Sequence, residues 1–251
     1  MNRYIRQIEV IGEEGQKKLL KARVLVVGAG GLGSAVIAYL ASAGVGKIGI
    51  VDGDTVEDSN LQRQIIHVGK IGMNKAKSAE EFVKKLNPDV EVVTYPFEIT
   101  PQNVNEIIKD YDIVVGCPDS FRVRYILNDA CALNKKPYVH GAVYAFEGEV
   151  GVFFGNPCYR CYLPIAPKDH GKGIIGSVAG VFGCLQATEV IKLITGYGEV
   201  LRGKILRIDL SSMEFLEISV KPMRMCPICS DKLKGIFEEN YIGSCEVKRF
   251  E

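Results

Sequence analysis

The chain has 251 residues, 47% apolar and 24% charged, the balance of an ordinary globular protein with room for one α/β domain or two small ones. A formal net charge of +1 argues against a nucleic-acid binder that works through a basic face. The first residues lead into an amphipathic pattern with no apolar signal segment, and the longest uncharged stretch, Gly173 to Thr188, is short and glycine-rich for a membrane span. Eight cysteines in such a chain suit a reducing cytoplasm, with metal or thiol chemistry expected and neither a membrane nor a nucleic acid as partner.

Tyr4, Ile5, Ile8 and Ile11 stand at helical spacing, so the first twenty residues read as a helical lead-in. Arg23 to Gly28 is a continuous apolar strand, Leu32 to Gly44 a helix, and Lys47 to Asp52 a second buried strand. The alternation continues with helix 74–87, strand 90–95, helix 101–109, strand 112–116, helix 121–134 and strand 138–142. Such uninterrupted Val/Ile runs between helices predict an α/β, Rossmann-like, doubly wound and mostly parallel sheet. Right-handed crossovers would then bring the carboxyl ends of the strands to one rim, where Gly28, Asp52 and Gly116 lie. After residue 142 the rhythm changes. Residues 143–155 read as a bent or paired strand, 165–173 as a loop, 175–196 as one long helix, and 204–210 with 214–220 as a hairpin, which together predict a C-terminal antiparallel extension.

Gly28-Ala29-Gly30-Gly31-Leu32-Gly33 follows a strand and opens a helix, the context in which backbone amides and a helix N-terminus hold a nucleotide's phosphates. Asp52 ends the next strand, in the place of a ribose ligand. These features do not separate NAD, FAD and ATP. Cys158-Tyr159-Arg160-Cys161 and Cys226-Pro227-Ile228-Cys229 form two Cys-x-x-Cys pairs, and four thiolates make a closed tetrahedral zinc site. A redox pair is the competing reading, and it fits poorly because two pairs occur and neither stands at a clear βα junction. Cys117, Cys131 and Cys184 read as small packing residues, and His67, His140 and His170 show no ligand or triad pattern.

Arg3 to Gln7 (RYIRQ), Gly28 to Ser34 (GAGGLGS), Ala41 to Gly46 (ASAGVG), Asn60 to Gln64 (NLQRQ) and the two cysteine pairs together resemble the ubiquitin-activating-enzyme-like adenylyltransferases. The sulfur-carrier adenylyltransferases of molybdopterin and thiamine biosynthesis are the nearest in look, and the resemblance runs over nearly the whole chain. It implies ATP and Mg2+ on the sheet and adenylation of the C-terminal glycine of a small β-grasp, ubiquitin-like carrier ending in Gly-Gly. Asp52 and Asp54 would frame the ribose side, with Gly28, Gly30, Gly31 and Gly33 beneath the phosphates and Asn60, Arg63, Gln64 and Lys75 around them. Asp119 would bind magnesium, while Cys158, Cys161, Cys226 and Cys229 would bind zinc. Arg6 would reach the nucleotide of a neighbouring subunit, so a homodimer is expected.

The chemistry of these residue types points the same way. A carboxylate is already ionised near neutrality, so its attack on the α-phosphorus needs no general base. It needs cations over the phosphate oxygens, which Arg63, Lys75, Arg6 and a magnesium on Asp119 would supply. Solvated helix charge for Arg63 and Lys75, and an N-cap role for Asp119, are the plainer alternatives. Many members carry a cysteine between the first zinc pair and the long helix. Here Tyr162 to Gly173 has none, offering Lys168, Asp169, His170 and Lys172 instead. That predicts an enzyme that stops at the acyl-adenylate. Pro118 and Ser120 also depart from the family's usual Thr and Asn. Adenylation of a small-molecule carboxylate is the alternative activity, and an NAD-dependent oxidoreductase shares only the glycine loop and Asp52. The expected organisation is a single unit, residues 1–251, with a helical arm (1–22), a nucleotide-binding core (23–142), a zinc-stapled half (143–230) and a tail (231–251).

Overall fold

Five strands with apolar side chains on both faces form the parallel part of the sheet. They are β1 (Arg23–Val27), β2 (Lys47–Val51), β3 (Glu91–Tyr95), β4 (Ile113–Gly116) and β5 (Tyr138–Tyr144), in a computed structural model that describes residues 2–167 and 173–249. Three antiparallel strands continue the same sheet: β6 (Glu147–Phe153), β7 (Lys204–Asp209) and β8 (Glu214–Ser219). The strand order is β3-β2-β1-β4-β5-β6-β7-β8. The winding direction reverses between β1 and β4, and in such sheets the crevice outside that switch point is where ligands bind.

Helices α1 (Ile5–Lys21), α2 (Gly31–Ala43), α3 (Lys75–Leu86), α4 (Val104–Ile108), α5 (Phe121–Leu133), α6 (Tyr159–Tyr162) and α7 (Gly176–Thr195) complete the regular structure. Val24, Val26, Val36, Ile37, Leu40, Ile48, Ile50, Val178, Phe182 and Val190 are buried in one core between the sheet, α2 and α7. Leu25, Val27, Ile108, Val114, Ile126, Leu127 and Phe153 form the core on the other face with α5. The 20-residue helix α7 is apolar enough to cross a membrane by composition, yet half of it is buried against the rest of the chain. It comes close because its contact residues are small: a Cβ on Gly183 would stand 2.4 Å from the Leu32 carbonyl oxygen of α2.

Several boundaries differ from the sequence reading. The helix expected at 101–109 begins at Val104, because the Asn103 side chain accepts from the Thr100 amide (2.8 Å) and holds the preceding residues in a turn. Of the two readings of 143–155, a bent or a paired strand, the paired one holds: β6 pairs antiparallel with β5. β5 runs on to Tyr144 and turns at Ala145, which has φ +50°, into β6. The lead-in helix bends at Gly12, with φ +71°. Lys168, Asp169, His170 and Lys172 lie outside the described residues.

The tail is tied into the fold by a buried ion pair. Arg160 on α6 donates to both carboxylate oxygens of Asp129 on α5, Nε to Oδ1 at 2.8 Å and Nη2 to Oδ2 at 2.8 Å. Arg160 also donates from Nη1 to the Cys245 carbonyl (2.7 Å), and the Tyr241 hydroxyl donates to Asp129 Oδ2 (2.9 Å). Arg160 and Asp129 are 3% and 0% exposed, so neither charge has water to fall back on. Asp129→Ala is therefore expected to destabilise the protein by about 3–5 kcal/mol. Tyr241→Phe, which removes one hydrogen bond, should cost about 1 kcal/mol. Urea unfolding midpoints at fixed protein concentration check both values.

Candidate active site

The glycine loop stands at the carboxyl end of β1, and its path is set by close backbone approaches. Gly28 has φ +99°, and its amide donates to the Val51 carbonyl (2.8 Å). A Cβ on Gly33 would lie 1.9 Å from the Gly28 carbonyl oxygen, so any larger residue would push the loop open. The 13-residue α2 starts at Gly31, and its first free amides face the loop's concavity. Asp52 directly follows β2, beside the loop. Its Oδ2 accepts from the Ala29 amide (2.8 Å) and its Oδ1 from the Asp54 amide (2.9 Å). Burial pushes its carboxyl above the usual range, against the effect of those two amides.

His67 shapes the same loop, and nothing in its sequence context pointed there. Its Nε2 lies 2.8 Å from the Ala29 carbonyl oxygen and its Nδ1 2.9 Å from the Ser78 hydroxyl. A carbonyl only accepts, so Nε2 carries the proton and Nδ1 accepts from the serine. Burial lowers its pKa, so the ring stays neutral.

The segment 59–64 lies against the loop. A Cβ on Gly31 would meet Arg63 Cγ at 3.4 Å, and one on Gly30 would meet Gln64 Nε2 at 3.8 Å. The turn Asp58–Asn60 is held by a capping box in which Asn60 Oδ1 accepts from the Glu57 amide (3.0 Å). Asn60 is thus structural at its oxygen. Arg63 is half-buried, with one bond to the Ser59 carbonyl (3.1 Å). Gln64 is 3% exposed, and its Oε1 has no partner among the described residues. Lys75, the first residue of α3, is buried, and its Nζ meets Asp54 Oδ2 at 2.8 Å. Asn74 caps α3 and donates to the Asp52 and Asp54 carbonyls (2.9 and 3.1 Å).

Asp119 follows β4, whose neighbour in the sheet is β1, and is exposed. The N-cap alternative does not hold: the cap of α5 is Ser120, and no side chain makes the capping bond. Arg6 is apart from this cluster within one chain. It projects from α1 with 89% of its side chain exposed and pairs with Glu9 at 3.6 Å. Its neighbours Tyr4 and Gln7 anchor the arm: Asn87 Nδ2 donates to the Tyr4 hydroxyl (2.8 Å), and Gln7 Nε2 to the Ala43 carbonyl (2.8 Å).

Cys158, Cys161, Cys226 and Cys229 converge so that all four sulfurs lie within 4.8 Å of one another. The Cys158–Cys226 and Cys161–Cys229 sulfurs are 3.5 and 3.3 Å apart. A tetrahedral ion with bonds of about 2.3 Å asks for sulfurs about 3.8 Å apart, so the tetrad fits zinc. The Met223 amide donates to Cys161 Sγ (3.4 Å), as expected where thiolate charge is to be spread. Cys117 and Cys131 are buried, as foreseen for packing residues, while Cys184 is half-buried and Cys245, in the tail, is buried against the α5 core.

Comparison with known proteins agrees with this arrangement. The sequence profile described as the ThiF family matches residues 2–228. A "SAMP-activating enzyme E1" of Haloferax volcanii is 42% identical, over 98% of this chain and 96% of its own. A "Sulfur carrier protein adenylyltransferase" of Thermus thermophilus is 41% identical, over 92% of each chain. An "Adenylyltransferase and sulfurtransferase MOCS3" of Aedes aegypti is 43% identical, and this chain spans 59% of its length. Among solved structures, Escherichia coli MccB, crystallised with MccA, has the same fold, with a TM-score of 0.83 over 91% of this chain and 74% of its own at 24% identity. The chain belongs to the ThiF family and is an ATP-using adenylyltransferase of the ubiquitin-activating type.

Proposed function

We propose that this adenylyltransferase activates the C-terminal glycine carboxylate of a small ubiquitin-like sulfur carrier, with release of pyrophosphate and no thioester on its own chain. The observation that carries the reading is the packing of Arg63 and Gln64 over the glycine loop. Phosphate-directed groups thereby gather at the switch point, where a hydride-transfer enzyme would have little use for them. The full-length similarity to relatives named for sulfur carriers and SAMP supports the choice of a protein substrate. Eight cysteines, none paired as a disulfide, support a reducing cytoplasmic setting.

In this reading the loop amides and the α2 N-terminus hold the phosphates, and Asp52 keeps a lone pair on each oxygen for a ribose hydroxyl. Arg63 and Lys75 lie over the triphosphate. Asp119 holds magnesium, which when bound neutralises phosphate oxygens as charge passes to the leaving group. One carboxylate oxygen of the carrier forms a bond to the α-phosphorus, and the bond from that phosphorus to the bridging oxygen breaks. Pyrophosphate departs with the electron pair, leaving an acyl-adenylate. Lys75 is preorganised by Asp54, which holds its ammonium in a buried position.

Magnesium-dependent ATP–pyrophosphate exchange tests the reading. It is expected to require a protein fraction of host lysate and to fall about 100- to 1,000-fold in Asp119→Ala and Lys75→Ala. Exchange supported by the small-molecule fraction would make the substrate a metabolite carboxylate instead.

The homodimer expectation follows from Arg6, whose one ion pair among the described residues is the exposed pair with Glu9. If it completes the neighbour's site, Arg6→Ala and Asp119→Ala homodimers should each be inactive. Mixing and re-equilibrating them should restore about a quarter of wild-type exchange, because half the dimers then carry one intact site. No recovery would show that Arg6 does not complete a neighbour's site.

The cysteine tetrad is proposed to hold one structural zinc. Elemental analysis should find about one zinc per chain. Cys226→Ser should lose the metal and about 10 °C of Tm, while leaving exchange per folded molecule largely intact.

A further inference from the structure

Arg124 on α5 is a buried cation without an anion. It is 7% exposed, and among the described residues no carboxylate oxygen lies within 4.0 Å of its guanidinium. The contacts it does make are neutral. Nε and Nη2 donate to the Pro118 carbonyl at 3.3 and 3.2 Å, and the guanidinium stacks over the Phe121 ring at 4.8 Å. Burying a full charge against a carbonyl and a ring is costly, and proteins normally pair such a group.

The surroundings share this incompleteness. The hydroxyls of Tyr138 and Tyr159 are both buried without a partner. Tyr138 reaches the end of β4, since a Cβ on Gly116 would meet its hydroxyl at 2.6 Å. Tyr159 stacks on His140 with ring centroids 4.4 Å apart, and the Arg124 charge lowers both phenols against the dominant effect of burial, which raises them. Glu149, close enough for the Arg124 charge to lower its carboxyl, is already engaged. His140 Nε2 is 3.0 Å from its Oε1, and the Tyr162 hydroxyl donates to its Oε2 at 2.6 Å. The Arg124 charge thus lies near two phenol hydroxyls with no free carboxylate among them, and the guanidinium is held at Pro118, the residue before Asp119; His140 Nδ1 is the remaining buried atom there without a partner among the described residues.

We propose that Arg124, assisted by the Tyr138 and Tyr159 hydroxyls, is the receptor for the carboxylate of the acyl substrate. The assignment rests on the carrier-adenylation reading above and names the group that brings the nucleophile to the α-phosphorus. Its kinetic signature follows from charge. The carboxylate is a full anion when bound, and it loses that charge as its oxygen bonds to phosphorus. Arg124 therefore stabilises the bound substrate more than the transition state, and its removal acts on KM rather than kcat. A merely structural Arg124, holding Pro118 and hence Asp119, would give the opposite pattern, with lower kcat and weaker magnesium-dependent ATP binding.

The test uses recombinant ubiquitin-fold proteins of the host genome that end in Gly-Gly, each prepared with its native carboxylate and as the C-terminal carboxamide. Binding to the full-length protein is measured by calorimetry in the presence of magnesium and a non-hydrolysable ATP analogue. Wild type should prefer carboxylate over carboxamide by about 10- to 100-fold. Arg124→Gln should bind both forms equally, raise the carrier KM by the same factor and keep kcat and ATP affinity within a few-fold. Arg124→Lys, which keeps the charge should the neutral variant misfold, should retain part of the preference. A preference that survives in Arg124→Gln, or that wild type lacks while binding both forms, would overturn the assignment. Wild type that binds neither form would overturn the carrier reading and this assignment with it.

Discussion

The Ala29 peptide is gripped at both ends, its N–H by the Asp52 carboxylate and its carbonyl by His67. Because Gly33 leaves no space above the Gly28 carbonyl, the loop has one path. Asp52 belongs to the residue run after β2, and His67 to the turn Ile65–His67 that precedes α3. The glycine loop, Asp52 and the segment carrying Arg63, Gln64 and Lys75 are thus tied together through the Ala29 peptide. Electrostatic stabilisation of a transition state depends on charges that need no rearrangement, and this clamp fixes the surface those charges face. A neutral His67 suits that task, since a protonated ring would have no acceptor to offer the Ser78 hydroxyl.

The second half of the chain serves the first through a different kind of constraint. The α6 turn contributes Cys158 and Cys161 to the sulfur tetrad, and between them Arg160 reaches inward to Asp129. One short segment therefore joins the cysteine cluster, α5 and the tail. The same α5 begins just after Asp119 and carries Arg124 one turn on. Anything that loosens the tetrad therefore also loosens the bracing of α5 and of the tail, a cost in stability.

How much of this was legible follows from the range of each interaction. The alternation of Val/Ile runs with helices gave the parallel sheet, because both-face burial leaves a local signature in sequence. The glycine loop and cysteine pairs were legible because their chemistry demands fixed local spacing. His67 was not, since its two partners lie 38 residues before and 11 after it and any small buried residue could stand in its local pattern. The Asp129–Arg160–Tyr241 cluster spans up to 112 positions, so the tail read only as a charged mixture. Asp119 shows the converse. Its residue type suggested a helix cap, a frequent use of aspartate, but the cap position fell to Ser120 and left the Asp119 carboxylate open.

The isolation of Arg124 illustrates a further limit of sequence reading. Arg122 and Arg124 stand two residues apart on the same helix and look equivalent as letters. Arg122 turns outward and pairs with Glu238 of the tail, whereas Arg124 turns toward the sheet and meets only a carbonyl, a ring and two unsatisfied phenols. Spacing on a helix assigns opposite faces to the two residues, but only the tertiary structure reveals that one face supplies an acid and the other does not. A fold that hides an uncompensated charge gives up stability there, and such losses are kept where a ligand restores them. On the assignment proposed for Arg124, the anionic nucleophile is held by a buried guanidinium and loses its charge on reaction, so the same contact that binds the substrate lets the acyl-adenylate go.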